Sequence, residues 1–315
     1  MDDDEWPNIP NSIAGLRAAL ECGYGLWYSV PQLSMYLSQL GGALRLRGRT
    51  EEPIVALRAE GLAADILRML REGLRAPEPE IRASACSALD YLGDPAVVTD
   101  LRPLLHDSDA MVSVRAAYTL RGFSEPSGTL IPRLIEILSC PEGNFPQGND
   151  RIQGTCGFLQ MPEAHCHAAR ILSYCGTEAA PAREQLLTAL ESVSGTVRAE
   201  AAKALAGMGE SPTVYLPPLR QALHDDEVQS SRERVRAAEG LIDLGEPPES
   251  VVPVLIELAR DQDYGACVWA IELLGKVGPA ASSAIPMLQE AKALEDQGLG
   301  EAAFRALQSI GVPQG

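Results

Sequence analysis

One nine-residue pattern recurs seven times in this chain and restricts the folds that the sequence can adopt. Its clearest copy, VRAEAAKAL, ends at Leu205, and every copy ends on a leucine at position nine. These leucines are separated by 31, 52, 33, 36, 32 and 34 residues. They are Leu89, Leu120, Leu172, Leu205, Leu241, Leu273 and Leu307. A period in the thirties is typical of stacked helical or strand units, each packing only on its neighbours.

Small residues and a glycine indicate that each copy is a helix. Positions five and six hold two small residues in five copies, as in Ala201-Ala202. Alanine favours the helix and lets a neighbouring helix approach closely. Four residues after the leucine, five copies have glycine, which closes a helix because it adopts the left-handed conformation. These glycines are Gly93, Gly176, Gly209, Gly245 and Gly311.

A second amphipathic segment precedes each copy. Examples are residues 63–74 and 251–259, and such segments often begin with proline, serine or threonine. Polar turns such as LLHDSD (104–109) connect the two segments, and their Asp and Ser side chains can cap the following helix. The repeated unit is therefore helix–turn–helix. The sequence predicts an all-α fold, an α–α superhelix of about seven helix pairs.

The pattern Val-Arg-Ala-x-Ala-Ala-x-Ala-Leu with its trailing glycine resembles HEAT repeats. Together with the Leu-x-Asp-x-Asp type of turn, it is similar to the bacterial HEAT-like repeats that also occur in phycobilisome lyases. The resemblance covers about residues 63–311. It implies a HEAT/armadillo-like solenoid, but it implies little about function, because the motif residues build the solenoid itself.

The first 62 residues contain no clean copy of the pattern. We expect residues 1–62 to form an acidic tail and an atypical helical cap, and residues 63–315 to form the solenoid. The cap region holds aromatic residues that can cover the apolar end of the first repeat. An aromatic groove for a ligand or peptide is the alternative. The aromatic residues are Trp6, Trp27, Tyr24, Tyr28 and Tyr36.

The long spacing of 52 residues marks an insertion at about residues 139–164. This segment is rich in glycine, proline, asparagine and glutamine, yet it retains Phe145 and Phe158. Flexible linkers lack such apolar residues, and long loops on rigid scaffolds often carry function. Two readings remain open: the insertion is a binding element, or it folds back over its own repeat.

Charge limits the classes of partner. The chain has 26 basic and 43 acidic residues, a formal net charge of −17. Because phosphate binding depends on Lys and Arg, we expect no nucleic-acid partner and favour a basic protein. Two arginine runs, at residues 45–49 and 232–236, are candidates for a local basic stripe. The alternative is that they lie on solvated helix faces or bond the turns of neighbouring repeats.

The expected location is the cytoplasm. Seven cysteines show no disulfide-framework spacing, which favours a reducing compartment. Residues 2–5 are acidic where a signal peptide needs basic residues. Cys22–Leu44 lacks charges but contains too many polar residues for a good membrane span, so we interpret it as buried cap.

Catalytic and metal-binding motifs are almost absent from the sequence. His165, Cys166 and His167, with Cys140, Cys156 and Cys175 nearby, form the one metal-like or thiol cluster. Close cysteine pairs are missing, and side chains at i and i+2 of a helix face different directions. We therefore expect no metal, no cofactor and no catalytic residue, and a binding protein rather than an enzyme.

Our leading hypothesis is a non-enzymatic scaffold that binds a protein partner on its concave face and inserted loop. Inhibition of a basic partner is a special case that rests on charge. Positions four and seven of the repeated helices should project as a ladder towards the partner. The predicted binding residues are Arg115, Tyr118, His167, Arg170, Lys203 and Arg236 on this ladder, with Phe145, Arg151 and Phe158 on the insertion.

The alternative is a lyase-like or auxiliary enzyme of the HEAT-like class. Its site would lie near His165 and His167, beside the insertion. A further expectation concerns Trp269, which replaces an alanine at position five. Because that position should face inward, we expect Trp269 to fill core space.

Overall fold

The computed structural model describes residues 9–22, 25–46, 53–140, 164–192, 194–224, 230–293 and 297–311. All regular structure in these ranges is helical, and they contain no strand. The predicted all-α fold is thereby confirmed. The chain divides into two compact units, residues 1–168 and 169–315, which are described separately. The boundary expected between residues 62 and 63 stays a prediction.

The first unit begins with three helices and continues with helix pairs. The first three are α1 (Ile9–Glu21), α2 (Leu26–Leu46) and α3 (Pro53–Ala59). The first pair is α4 (Ala63–Gly73) with α5 (Pro79–Leu92). The second joins a short helical stretch, Pro95–Val97, α6 (Val98–Leu101) and Arg102–His106, to α7 (Ala110–Gly122). The third is α8 (Ser127–Ser139) with α9 (Ala164–Cys175), which crosses the boundary between units.

The second unit continues the same alternation. Its pairs are Gly176–Ala182 and α10 (Arg183–Ala189) with α11 (Gly195–Gly207), then α12 (Pro212–His224) with α13 (Ser231–Asp243). There follow α14 (Pro248–Leu258) with α15 (Tyr264–Val277), and Gly278–Ala284 and α16 (Ile285–Lys292) with α17 (Gln297–Ile310). Within the described ranges the chain thus forms the seven predicted pairs, and the seven pattern copies are their second helices.

The pattern leucines and small residues build the core. All seven leucines at position nine are buried, at 3% exposure or less. The second helices of neighbouring repeats pack side by side, α5 on α7 in the first unit and α11 on α13 in the second. Small residues allow this approach: a Cβ added to Gly240 of α13 would lie 2.9 Å from the Cβ of Ala199 on α11. The core therefore depends on both the large and the small positions.

The predicted helix ends are confirmed. The glycines at the predicted stops all have positive φ, and Ser124 occupies the same position in the second repeat with φ 60°. In three repeats the backbone N–H of the next residue donates to the carbonyl of the pattern leucine, as in Glu125 to Leu120 at 3.0 Å. Side-chain oxygens of Asp109, Ser194 and Asp263 cap the following helices, as the turn residues predict.

Exchanging the residues at two of these stops tests the left-handed conformation. Ser124→Gly removes a Cβ penalty of about 1–2 kcal/mol, partly offset by the greater freedom of glycine in the unfolded chain. We expect a stabilisation of about 0.5 kcal/mol from Ser124→Gly, and a loss of about 1 kcal/mol from Gly209→Ala. Urea titrations followed by circular dichroism measure both changes in the free energy of unfolding. If the two substitutions changed it in the same direction, the left-handed conformation at these stops would be contradicted.

The described N-terminal cap is built mainly from aliphatic residues, and the ring of Tyr36 on α2 packs against Gly15 of α1. Leu16, Leu33 and Leu37 are fully buried, and α2 packs on α5. Trp27 is 74% exposed, so the expectation that it covers the first repeat is wrong. It precedes the apolar positions of α2 and turns to solvent. Trp6 and Tyr24 lie outside the described residues.

The described helices do not meet the requirements of a membrane span. None of them combines the length and the hydrophobicity needed to cross a bilayer, and this includes α2, which holds most of the uncharged stretch.

Candidate functional site

Positions four, seven and eleven of a second helix lie on one side of it, because residues i, i+3 and i+7 share a helix face. We call the surface formed by these positions the second-helix face of each unit. In the first unit it comprises Ser84, Ser87 and Tyr91 of α5 and Arg115, Tyr118 and Gly122 of α7. In the second unit it includes Arg170, Glu200, Lys203, Arg236, Glu239 and Asp243. The predicted ladder residues lie on these faces, with His167 at position four of α9.

Contacts between α5 and α7 fix the register of the first unit's face. The Thr119 hydroxyl donates to the carbonyl of Cys86 at 3.1 Å. A Cβ added to Gly122 would lie 3.0 Å from Oδ1 of Asp90, so Gly122 stands beside the last turn of α5. The face positions of α5 and α7 are therefore adjacent. They form one patch that contains Tyr91 and Tyr118.

An ion-pair network runs along the second unit's face. Arg170 of α9 donates two hydrogen bonds to Glu200 of α11, at 2.8 and 3.1 Å. Lys203 of α11 lies 2.7 Å from a carboxylate oxygen of Asp243 on α13, and Lys276 of α15 pairs with the same carboxylate. The exposure of these side chains ranges from 8% for Glu200 to 49% for Lys276, and together they link four consecutive second helices.

The pKa values of the central pair follow from this network. Burial alone lowers the pKa of Lys203, but the hydrogen bond to Asp243 and the nearby carboxylates outweigh it and raise that pKa. Burial raises the pKa of Asp243, but hydrogen bonds from Lys203 and Lys276 outweigh it and lower that pKa. Both groups are therefore held in their charged forms at neutral pH.

Trp269, at position five of α15, contacts a residue of the second-helix face instead of filling the core. Cζ of Arg236 on α13 lies 3.7 Å from the centre of the Trp269 ring on α15, and Arg236 also pairs with Glu239 at 2.9 Å. The ring is half-buried, whereas the alanines at the same position in other repeats are fully buried. The expectation that Trp269 fills the core is wrong, because the ring is too large for that position and lies under the guanidinium.

Arginine at position two of the pattern ties three of the second helices to the turn before them. Arg82 donates to the carbonyls of Ala76 and Pro77 at 2.9 and 2.8 Å. Arg234 donates to the carbonyl of Leu223 at 3.0 Å, and Arg198 bonds the carbonyl of Ser192 in the same way. The sequence analysis offered bonds to turns only for the arginine run at residues 232–236 and missed them for Arg82 and Arg198, although the position is arginine in three copies.

His165 occupies position two in the third repeat. Its Nε2 lies 2.8 Å from the carbonyl oxygen of Cys140, the residue that follows α8. His165 thus replaces the arginine of other repeats and joins the two ends of the insertion. His167 is buried at 5% exposure on the same helix. No group of three potential metal ligands exists among the described residues, and Cys156 lies outside them.

Buried thiols have the high pKa of unreactive cysteines. Burial raises the pKa of Cys86 to about 12, and it also raises the pKa of Cys267. A thiol needs a lowered pKa to act as a nucleophile near neutral pH. Six cysteines of the described chain are free of disulfides.

The second arginine run is committed to contacts within the second unit. Arg232 pairs with Asp263 at 2.8 Å, and Arg234 pairs with Glu257 at 2.9 Å. The interpretation that such arginines bond neighbouring turns therefore holds for Arg232, whose partner Asp263 precedes α15, whereas the partner of Arg234 lies within α14. In the first run, the side chain of Arg45 and the whole of Arg47 and Arg49 fall outside the described part.

In the second unit the described cations all have partners, whereas some of the described carboxylates do not. Each described lysine and arginine contacts a carboxylate, a backbone carbonyl or an aromatic ring. The ten ion-paired ones are Arg170, Arg183, Lys203, Arg220, Arg232, Arg234, Arg236, Arg260, Lys276 and Arg305. Arg198 bonds carbonyls, and Lys292 lies over Phe304. By contrast, Glu178, Glu191, Glu249 and Glu301 pair with no described cation.

Two exposed tyrosines escaped the sequence analysis. Tyr91 and Tyr174 lie at position eleven of α5 and α9, one turn beyond the ladder positions that were considered. Extending the ladder by four residues would have found them, because residues i and i+4 share a face. The predicted residues Phe145, Arg151 and Phe158 lie outside the described residues.

Comparisons with known proteins match the repeats. The family of HEAT repeats matches residues 67–143, and the PBS lyase HEAT-like repeat matches residues 197–225. No curated protein matches the chain.

Several solved structures are similar at low sequence identity. The complex of CpcE and CpcF of phycocyanin lyase from Nostoc sp. PCC7120 is 20% identical with a TM-score of 0.45, over 77% of this chain and 86% of that one. An engineered protein is 21% identical with a TM-score of 0.32, over 78% and 96%. Kap95p bound to RanGDP is 14% identical with a TM-score of 0.40, over 96% and 41%.

The two matching families fall on helix pairs that the structure describes. Residues 67–143 include α5, α7 and α8, and residues 197–225 include most of α11 and all of α12. The seven helix pairs, their buried pattern leucines and these matches lead to one assignment. The chain is a HEAT-repeat protein.

Proposed function

We propose that the chain is a non-enzymatic scaffold that binds a protein partner through its second-helix faces and the insertion at about 139–164. One observation carries this proposal: the ion-pair network of Arg170, Glu200, Lys203 and Asp243 holds polar side chains in place on the second unit's face. Side chains that are already ordered lose little entropy when a partner docks, and mixed polar groups with aromatic residues suit protein recognition.

Charge favours a basic partner. The net charge is −17, and the described cations of the second unit are already engaged, whereas several carboxylates are not. A basic protein would gain from this field, while nucleic acid would meet repulsion. Inhibition of a basic partner by occlusion of its binding surface is the corresponding special case. We place this function in the cytoplasm, and we propose no cofactor and no membrane contact.

Affinity capture from native extract tests the proposal. Wild-type protein, a deletion of residues 141–161 and the variant Arg115→Ala/Tyr118→Ala/Lys203→Ala/Arg236→Ala serve as baits. We expect a stoichiometric protein with the wild type, and at least tenfold weaker binding of that purified protein to the face variant, because polar anchors dominate interfaces of this kind.

The control bait carries Arg68→Ala and Arg75→Ala, which lie at exposed sites outside the second-helix faces. It should bind as the wild type does. Circular dichroism must show equal helix content for all baits. Absence of any stoichiometric partner, or equal affinity of both variants, would count against the proposal.

The competing function is a lyase-like or auxiliary enzyme with a site near His165 and His167. It is supported by the match of residues 197–225 to the PBS lyase HEAT-like repeat. That match covers α11 and α12 rather than α9, and His165 bonds a backbone carbonyl as the arginines of other repeats do. Incubation with a bilin should change the absorbance of the chromophore if the enzyme exists, and His167→Ala should abolish that change.

A further inference from the structure

Two tyrosines stand diagonally across the first unit's second-helix face. Tyr91 lies at position eleven of α5 and Tyr118 at position seven of α7, with exposures of 37% and 36%. The other two corners carry Ser87 and Gly122. Since α5 and α7 are in register, the two rings flank a floor of small residues that leaves room for an incoming side chain.

Aromatic rings of this chain already receive cations. Arg236 lies 3.7 Å from the centre of the Trp269 ring, and Arg121 lies 5.4 Å from that of Tyr118. A guanidinium above a ring is attracted by the negative charge of the ring face. Tyr91 differs, because no described side chain places a cation over its ring or bonds its hydroxyl. Its ring is available for a cation from outside.

We infer that Tyr91 and Tyr118 receive an arginine side chain of a basic partner segment. The guanidinium stacks on Tyr91, while Ser87 and Gly122 leave space for the partner's backbone. The negative net charge draws such a segment to the surface, and a planar guanidinium stacks better than an ammonium group. This inference rests on the proposed function and specifies the chemistry of its partner.

Labelled peptides provide the test. The probes are acetylated, amidated Gly-Ser peptides that carry three arginines, three lysines, three citrullines or three leucines, and fluorescence anisotropy measures binding at 50 and 150 mM salt. We expect the arginine peptide to bind at least threefold more tightly than the lysine peptide. Tyr91→Ser/Tyr118→Ser should weaken its binding at least fivefold, whereas Tyr91→Phe, which keeps the ring, should not.

Tyr28→Ser is the matched control, because Tyr28 is exposed at 41% and lies on α2, which is not a second helix. Its binding should equal that of the wild type. The inference would be overturned if the arginine and lysine peptides bound equally and the tyrosine substitutions did not change their affinity. That result would leave the scaffold proposal intact. Failure of the arginine peptide to bind the wild type, or stronger binding of the leucine peptide, would also overturn the inference. Failure of the scaffold itself is read separately, as the absence of a captured partner.

Discussion

Replacing Arg82 with methionine is expected to reduce the stability of the helices around it by about 3 kcal/mol. Arg82 donates to both carboxylate oxygens of Asp107 at 2.8 Å, and the side chains are only 13% and 10% exposed. Removal of the guanidinium leaves a buried carboxylate without this partner and frees the carbonyls of Ala76 and Pro77. A loss of this size follows from breaking one side of a buried pair.

Hydrogen exchange measures this effect locally. Amides of α5 and α7 should exchange on the order of 100-fold faster in Arg82→Met, since each 1.4 kcal/mol corresponds to about a factor of ten. Arg75→Met is the control, because Arg75 is exposed and lies in the adjoining turn. It should leave exchange nearly unchanged. Similar exchange in the two variants would show that the Arg82–Asp107 pair is not important for stability.

The effect of Arg82→Met should depend on pH. Burial raises the pKa of Asp107, but hydrogen bonds from Arg82 and from the Asp109 N–H outweigh it and lower that pKa below its ordinary value. A lowered pKa stabilises the fold above the unfolded pKa of about 3.9, and this stabilisation disappears as pH falls through the folded pKa. In the variant, the hydrogen bonds from Arg82 that lower the pKa of Asp107 are absent, so we expect burial to raise that pKa. The difference between variant and wild type should therefore shrink as pH falls from 7 towards 4.

The sequence was sufficient to predict the fold because the features that define its repeats, apolar spacing and helix-ending residues, act within one helix. The spacing of leucines gave the number of helix pairs, and the five glycine stops gave the ends of their helices, whereas the stop at Ser124 was not predicted. Both depend only on periodicity and backbone conformation. The exposure of Trp27 was not predictable in this way, since it depends on which residues α2 presents to α5.

The candidate site was only partly predictable. The alignment placed Lys203 and Arg236 on the second-helix faces, but it did not reveal that Lys203 pairs with Asp243 or that Arg236 covers Trp269. Such contacts connect different repeats, and their geometry follows from the offset between neighbouring helices. His165 shows the same limit: its residue type suggested chemistry, while its column in the alignment, which is arginine in three other copies, indicated a bond to the preceding turn.

The substitution Leu205→Ala should destabilise the second unit by about 3 kcal/mol. Leu205 is fully buried at position nine of α11, and a buried leucine replaced by alanine loses both transfer free energy and packing. In a linear array, stability is a sum of repeat and interface terms between nearest neighbours. Because α11 packs on α10 of its own repeat and on α12 and α13 of the next repeat, the cavity weakens contacts within the repeat and with that neighbour.

Leu307→Ala makes the same chemical change at the end of the array. Leu307 is equally buried in α17, but this helix packs on α15 and α16 and has no described repeat beyond it. Hydrogen exchange should therefore accelerate from α10 to α13 in Leu205→Ala, and mainly in α16 and α17 in Leu307→Ala. If both substitutions instead accelerated exchange uniformly across residues 169–315, that result would show that the second unit unfolds as one cooperative block. Nearest-neighbour coupling would then not describe its stability.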